Sequence, residues 1–166
     1  MTGINQVEFE KAFNSWYEPI RNFIYYKSGD ISLAEDIAQD AFVKLWEKRT
    51  SIIPDTIKSL LYTIANNLYL NKIEHGKVEL KFVTNYTAGH FQENPHYLME
   101  VKEFDNKLQK AISQLDEKKR TVFLMNRIEK LTYNQIAENL GITVKAVEKR
   151  MEKALAYLKK QINMNI

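Results

Sequence analysis

Apolar residues recur at steps of three and four along most of this chain, and this spacing restricts the possible folds more than any other feature. In the first such segment the apolar positions include Phe9, Phe13, Trp16, Ile20 and Phe23. Residues at these intervals lie on one face of an α-helix. The glycines and prolines lie in or near the breaks between such segments, except for one proline inside the first helical pattern. We therefore expect an all-α protein.

The breaks and the capping residues predict where each helix begins and ends. Short polar side chains can accept a hydrogen bond from the free amides of a first helical turn, and the predicted caps are Ser32, Asp55, Asp116, Thr132 and Thr143. The predicted helices cover residues 6–27, 33–48, 56–74, 117–130 and 133–139, with a further helical segment around 101–115 and a last helix after Thr143. The first helix is expected to bend or restart near Pro19.

Residues 78–97 interrupt the helical pattern. The apolar residues at 78, 80 and 82 alternate, but no second strand-like segment exists with which they could pair. We interpret this stretch as a linker with little fixed structure. The chain is then expected to form two small helical domains, at residues 1–77 and 98–166, joined by a flexible linker at 78–97.

The composition gives little support for an enzyme, a metal site or a membrane span. The chain has no cysteine, no apolar run near the roughly 18 residues that cross a bilayer, and no basic and then apolar start. Its three histidines, His75, His90 and His96, lie in or beside the predicted linker, where a metal ion would be poorly held. No glycine-rich phosphate loop or nucleophile motif is present. We expect a cytoplasmic protein without a catalytic site, cofactor, metal or small-molecule substrate.

The basic charge of the chain is concentrated in its C-terminal third. Residues 105–166 carry 13 basic and seven acidic side chains, whereas residues 1–77 carry nine and ten. A polyanion bound by electrostatic attraction would therefore bind this third.

A glycine in this basic region separates two predicted helices. Gly141 can adopt the left-handed conformation that ends the first helix, and Thr143 can cap the second after a turn of about four residues, which is a helix-turn-helix. The predicted buried stripe of the second helix is Val144, Val147, Met151, Leu155, Leu158 and Ile162. Its opposite face carries Lys145, Ala146, Lys149, Arg150 and Lys153. That face would enter the major groove of DNA, although a solvated amphipathic helix or an ordinary helical hairpin would show the same pattern.

Three blocks of the sequence, in this order, resemble a known family. The blocks are "AEDIAQDAFVKLWEKR" at 34–49, "IKSLLYTIANNLYLNKI" at 57–73 and "LDEKKRTVFLMNRIEKLTYNQIAENLGITVKAVEKRMEKAL" at 115–155. They are similar to the bacterial sigma factors of the extracytoplasmic-function group. The resemblance implies a subunit that binds RNA polymerase core and directs it to promoters.

The resemblance also implies which residues make these contacts. In the family, the helix matching residues 33–48 docks on the clamp of the polymerase's largest subunit, and the matching positions here are Asp36, Gln39, Asp40 and Trp46. The helix matching 56–74 binds the minus-ten promoter element as a single strand, with candidate residues Tyr62, Asn66, Asn67, Tyr69 and Asn71. The last block binds the minus-thirty-five element as a duplex, with candidate residues Thr143, Lys145, Ala146, Lys149, Arg150 and Lys153.

One departure from the family pattern concerns the minus-ten helix. Family members commonly carry basic residues where this chain has Asn66 and Glu74, and often an aspartate where it has Asn71. We therefore expect this helix to hold DNA phosphates less strongly than is usual in the family.

The resemblance further implies an anti-sigma factor that binds both domains. Two other interpretations of the sequence stay open. One is a two-domain regulator that binds an operator independently of polymerase, and the other is a module whose basic helix contacts protein.

Overall fold

The computed structural model describes residues 2–75 and 106–162, and these residues form helices joined by short connections. The helices are α1 (Gln6–Ser28), α2 (Ile31–Glu47), α3 (Ile57–Glu74), α4 (residues 106–114), α5 (Glu117–Arg127), α6 (Tyr133–Leu140) and α7 (Val144–Ile162). No strand occurs within these two ranges, so the predicted all-α class is confirmed. The predicted linker at 78–97 and the predicted helical positions Val101 and Phe104 lie outside the described residues.

Helix α1 is continuous over its whole length. Its first turn carries a capping box, because the Asn5 side chain accepts from the backbone of Glu8 while the Glu8 side chain accepts from the backbone of Asn5. The helix runs through Pro19 without a restart and ends at Gly29, which has a left-handed φ of 70°. The left-handed conformation at the end of a helix favours glycine.

The prediction that Ser32 caps α2 is wrong. Asp30 Oδ1 accepts a hydrogen bond from the Leu33 amide over 3.1 Å, and α2 begins at Ile31. Ser32 therefore lies in the first turn and is exposed. The reason is that the chain turns tightly at Gly29, so that only two residues, Gly29 and Asp30, separate the end of α1 from the start of α2.

The predicted cap of α3 at Asp55 is also wrong. Residues Pro54–Thr56 form a single 3-10 turn that leads directly into α3, and no side chain caps that helix. A second 3-10 turn, Arg49–Ser51, follows α2. The N-terminal segment secures this connection, because the Gly3 amide donates to Ile52 O over 2.7 Å and the Ile4 amide donates to Arg49 O over 2.8 Å.

Helices α1, α2 and α3 pack together as the N-terminal bundle. Ala34, Ala38 and Ala41 of α2 are fully buried, and their small side chains let the neighbouring helices approach closely. Leu45 of α2 and Leu61 and Ala65 of α3 complete the centre of this bundle.

Helices α4 to α7 form the C-terminal bundle, which contains the predicted helix-turn-helix. Thr132 and Gln135 form a capping box at the start of α6, and Gly141 ends that helix with a φ of 64°. Thr143 Oγ1 accepts from the Ala146 amide over 3.1 Å and caps α7. One predicted core residue of α7 is wrong: Leu155 is 39% exposed, because the buried stripe continues from Met151 through Ala154.

The two bundles contact each other. Helix α5 packs against α1, and α6 packs against α3, so the buried residues form one continuous cluster. Among the described residues, no helix is both long enough and apolar enough to cross a membrane.

Candidate nucleic-acid and protein interfaces

The basic face of α7 is the first candidate interface. Lys145, Lys149 and Lys153 are exposed, and Ala146 and Arg150 are partly exposed. At about 100° of rotation per residue these five positions cover one continuous arc of roughly 140°. Thr143, the sixth predicted residue, is exposed at the start of the helix, where its hydroxyl is already used as the cap. The helix thus presents a cationic surface whose width suits a DNA groove.

The predicted minus-ten residues of α3 are not all on one accessible face. Asn67 and Asn71 are exposed, and Asn66 is partly exposed, with its Oδ1 accepting from Lys27 Nζ over 2.5 Å. Tyr62 and Tyr69 are buried. In this arrangement neither tyrosine ring is free to stack on a base, so a role for them in base binding stays a prediction.

Each buried tyrosine has a partner that explains its position. The Tyr62 ring makes an edge contact with Phe23, at 5.1 Å between centroids, and burial raises the pKa of its phenol, with a further contribution from the charge of Glu129. The Tyr69 hydroxyl donates to the backbone carbonyl of Lys27. Burial, followed by the nearby charge of Glu117, raises the pKa of Tyr69 to about 12.

The predicted polymerase-binding residues lie on the outer side of α2. Asp36, Gln39 and Asp40 are exposed, and Trp46 is half-buried. The Trp46 ring lies 5.0 Å from the Phe9 ring, and the Arg49 guanidinium lies over its face at 4.5 Å. Trp46 is therefore held in place by packing, with part of its surface left free for a partner.

A groove between α1 and α2 adjoins these residues, and the sequence pattern did not predict it. The groove has a volume of about 830 Å³, and its wall includes Phe9, Phe13, Gln39, Phe42, Val43 and Trp46. Phe13 is 40% exposed and Val43 is 56% exposed. The helical spacing of Phe9 and Phe13 indicated an apolar face of α1, but it gave no sign that α2 would leave part of that face uncovered.

A second cavity, of about 620 Å³, lies between the two bundles. Its wall includes Tyr62 and Asn66 of α3, Thr121 of α5, Asn139 of α6 and Arg150 of α7. The structure thus brings two predicted minus-ten residues, Tyr62 and Asn66, and one predicted minus-thirty-five residue, Arg150, to the same cleft. Thr121 Oγ1 and Asn139 Oδ1 are buried here without a hydrogen-bond partner among the described residues.

The histidines provide no metal site in the part of the chain that the structure describes. His75 is exposed just after α3, and no cluster of three potential ligands occurs in residues 2–75 and 106–162. His90 and His96 lie outside these ranges.

Each of the two bundles matches a protein-family model. The family model described as Sigma-70 region 2 matches residues 12–77, and the one described as Sigma-70, region 4 matches residues 105–158. The first match covers the N-terminal bundle from within α1, and the second covers most of the C-terminal bundle.

Curated relatives match along almost the whole chain. RNA polymerase sigma factor YlaC of Bacillus subtilis is 25% identical over 158 residues, covering 92% of this chain and 91% of the relative. ECF RNA polymerase sigma factor SigW of the same organism is 28% identical over 172 residues, covering 95% and 90%. Ferric citrate uptake sigma factor FecI of Escherichia coli is 26% identical, covering 90% and 87%.

Two solved structures share the fold. The sigma factor RpoE in complex with the anti-sigma factor NepR, from Bartonella quintana, superimposes with a TM-score of 0.67 at 18% identity and covers 95% of this chain and 98% of that one. CnrH in complex with the cytosolic domain of CnrY gives a TM-score of 0.64 at 20% identity, covering 98% and 92%.

Proposed function

Because this chain belongs to the sigma-70 family and is a sigma factor of the extracytoplasmic-function group, we propose that the outer side of α2 binds RNA polymerase core and that α3 and α7 contact the promoter. The chain binds polymerase core and directs it to specific promoters. The observation that carries this function is that both sigma-70 regions match, in order, on the two bundles. A two-domain regulator that acts independently of polymerase is not favoured, since it gives no reason for the match of residues 12–77 to Sigma-70 region 2.

The proposed polymerase contacts are Asp36, Gln39, Asp40 and Trp46. Exposed carboxylates can pair with arginines of a partner, and a half-buried tryptophan loses little conformational freedom when it is covered. The adjacent groove supplies exposed apolar surface at Phe13 and Val43. Together these features support a polymerase-binding surface on the outer side of α2 that combines charge pairing with apolar contact.

The proposed minus-ten contacts are on α3. Asn66, Asn67 and Asn71 present amides that can hydrogen-bond to the edges of unpaired bases. Tyr62 and Tyr69 are proposed to stack on unpaired bases. Because both rings are buried, this stacking requires the residues around them to rearrange when DNA binds. Since α3 lacks the basic residues common in the family, polymerase is proposed to supply much of the affinity for this element.

The proposed minus-thirty-five contacts are on α7 and are duplex contacts. Lys145, Lys149, Arg150 and Lys153 can reach phosphates or guanine edges, and Ala146 can meet a thymine methyl group. Thr143 at the start of α7 can approach a phosphate.

The remaining proposals concern organisation and partners. We assign residues 1–77 to promoter opening and polymerase binding, 78–97 to a linker, and 98–166 to duplex recognition, in agreement with the family match that ends at 77. An anti-sigma factor is a proposed partner, supported by the similar structure of the sigma factor RpoE in complex with the anti-sigma factor NepR. A cytoplasmic location and the lack of a catalytic activity follow from the same assignment.

In vitro transcription with purified core polymerase and a promoter library tests the proposed function. The expected result is a set of transcripts that start at a shared promoter sequence and that depend on this protein. Failure of the protein to co-elute with core polymerase at every ionic strength would overturn the proposal.

A further inference from the structure

The end of α1 places a lysine against the candidate minus-ten helix. Lys27, the next-to-last residue of α1, donates from Nζ to Asn66 Oδ1 of α3 over 2.5 Å, and its carbonyl accepts from the Tyr69 hydroxyl of the same helix. The rings of Phe23 and Tyr69 enclose the side chain, with centroids 5.0 and 5.1 Å from Nζ. All of these contacts lie within the N-terminal bundle, so this bundle by itself holds the ammonium group beside Asn66.

Asn66 is a position where family members commonly carry a basic residue. At about 100° of rotation per residue, Asn66, Asn67 and Asn71 cover an arc of roughly 140° on α3, with Asn66 at one edge. A lysine held beside Asn66 therefore brings a positive charge to the edge of the surface that is proposed to bind bases. The charge that α3 lacks at position 66 is supplied by α1, from a residue 39 positions earlier in the chain.

A carboxylate is the anionic partner of this lysine in the structure. Glu117 Oε1 of α5 lies 2.8 Å from Lys27 Nζ, and the side chain of Glu117 is 29% exposed. Lys27, Asn66 and Glu117 all line the cleft of about 620 Å³. Carboxylate and phosphate oxygens accept the same charge-assisted hydrogen bonds from an ammonium group. Glu117 therefore marks the side from which a DNA phosphate can approach, and because Lys27 is buried, that phosphate has to displace Glu117.

The other hydrogen bonds that α5 makes at this point are to the main chain. Arg120 donates from Nε and Nη2 to the carbonyls of Tyr26 and Lys27, each over 2.7 Å. They leave the ammonium group of Lys27 to its side-chain partners. When a phosphate replaces Glu117, the contacts with Asn66 and Tyr69 still hold Lys27 against α3.

We propose that Lys27 binds a phosphate of the minus-ten single strand and so replaces the basic side chain that position 66 lacks. This inference rests on the proposed function of α3. One neutralised phosphate on a single strand contributes about 0.7 to the slope of log affinity against log salt concentration. Because this contribution vanishes near 1 M salt, loss of one such contact lowers affinity about fivefold at 0.1 M salt.

The test uses holoenzyme, reconstituted from core polymerase and this protein, and a promoter fragment taken from the library transcription experiment. The fragment keeps the minus-thirty-five element as a duplex and leaves the non-template strand unpaired across the minus-ten element. Fluorescence anisotropy of the labelled fragment gives affinity at several salt concentrations. The affinity at 0.1 M salt and the salt slope are the two quantities compared.

Four variants separate the phosphate contact from the ion pair and from net charge. Lys27→Gln removes the cation, whereas Glu117→Gln breaks the same ion pair from the other side and leaves the cation in place. Lys110→Gln removes an equal charge from an exposed position on α4. Asn66→Arg, added to Lys27→Gln, returns a cation to α3 itself.

We expect Lys27→Gln to bind the fragment about fivefold more weakly at 0.1 M salt, with a slope lower by about 0.7. Glu117→Gln should bind at least as tightly as wild type, and Lys110→Gln should stay within about twofold of it. Asn66→Arg should restore the slope. Equal losses in Lys27→Gln and Glu117→Gln would overturn the inference, because Lys27 would then act only through its ion pair.

Two further comparisons keep the outcomes distinct. If Lys27→Gln is unfolded by circular dichroism, Lys27→Met keeps the apolar stem against Phe23 and Tyr69, and the same outcomes apply. Wild-type holoenzyme that does not prefer the fragment to one with a scrambled minus-ten sequence would overturn the proposed function together with this inference. Selective binding by wild type, with unchanged affinity and slope in the Lys27 variant, would overturn this inference alone.

Discussion

The hydroxyl of Tyr69 donates a hydrogen bond to the backbone carbonyl of Lys27 over 3.2 Å, and this pair joins the second half of α3 to the end of α1. Tyr69 is fully buried, and its pKa is raised from 10.0 to about 12. A phenol whose pKa is raised on folding stabilises the folded protein below its unfolded pKa, and this contribution is lost as the pH rises through the folded pKa.

We therefore predict that Tyr69→Phe flattens the loss of stability between pH 10 and pH 12. At neutral pH the variant should be less stable by about 1 kcal/mol, because it lacks the hydrogen bond to Lys27 O. Denaturant unfolding at a series of pH values measures both effects.

Comparing the variant with wild type separates the effect of Tyr69 on stability from the effects of other groups that titrate at high pH. Burial also raises the pKa of Tyr25 and Tyr62, so these two phenols likewise make the protein less stable at high pH. Burial lowers the pKa of Lys27, so this group makes the protein more stable as the pH rises toward 10.5. All three groups are present in both proteins. Equal slopes for wild type and variant above pH 10 would contradict the prediction.

Gly141 allows a test of the turn that aims α7. Its φ is 64°, and a Cβ added there would meet no atom within 4 Å. Gly141→Ala should therefore destabilise the protein by backbone strain alone, by about 1 kcal/mol, and Gly141→Asn should cost less because asparagine tolerates this conformation better. Chemical unfolding of the three proteins gives the order, and an asparagine variant less stable than the alanine variant would show that strain is not the cause.

The basic face of α7 is tested by Lys149→Ala combined with Arg150→Ala. Affinity for a minus-thirty-five duplex should fall about 10- to 100-fold, because one or two contacts to bases or phosphates are lost. The dependence of binding on salt should also become weaker, since fewer counterions are released. Fluorescence anisotropy with labelled duplex, at several salt concentrations, measures both quantities.

Two controls separate this effect from net charge and from misfolding. Lys107→Ala with Lys110→Ala removes the same charge from exposed positions on α4 and should leave duplex affinity within about twofold of wild type. Binding of core polymerase should persist in the α7 variant. A loss of polymerase binding as well would indicate a folding defect instead of a lost DNA contact.

The acidic side of α2 is tested by Asp36→Asn combined with Asp40→Asn. Both side chains are exposed, so the substitution removes charge without disturbing the core. Affinity for core polymerase should fall by about two to three orders of magnitude, because each lost interfacial charge pair costs on the order of 2 kcal/mol and about 1.4 kcal/mol is a factor of ten. Titration of core polymerase monitored by anisotropy measures the change.

The asparagine substitutions are preferable to removal of Trp46, because Trp46 also packs against Phe9 and Arg49. Glu148→Gln with Glu152→Gln serves as the control of equal charge. Unchanged affinity in the α2 variant would assign that surface another role.

The features that the sequence predicted correctly depend on residues close together along the chain. The capping box of Thr132 and Gln135, the left-handed Gly141 and the caps at Asp116 and Thr143 each involve atoms within four positions. Ser32 failed as a cap because Asp30, two positions earlier, starts the same helix after Gly29. Local competition between two good capping residues decided that outcome.

The contacts between the bundles could not be predicted in this way. Arg120 and its acceptor at Tyr26 are 94 positions apart, and Tyr26 and Glu129 are 103 positions apart. A helical period identifies the apolar face of α3 that meets its own bundle, but it gives no sign that α6 of the other bundle also packs against α3. Buried charges such as Lys27 and Arg120 also leave no trace in hydrophobic spacing.

Arg120 binds α1 through main-chain oxygens, which are present whatever amino acids occupy positions 26 and 27. Substitutions in α1 can therefore remove side-chain contacts between the bundles but cannot abolish these two acceptors. A substitution that removes both hydrogen bonds at once has to be made in α5, where a single guanidinium supplies both donors.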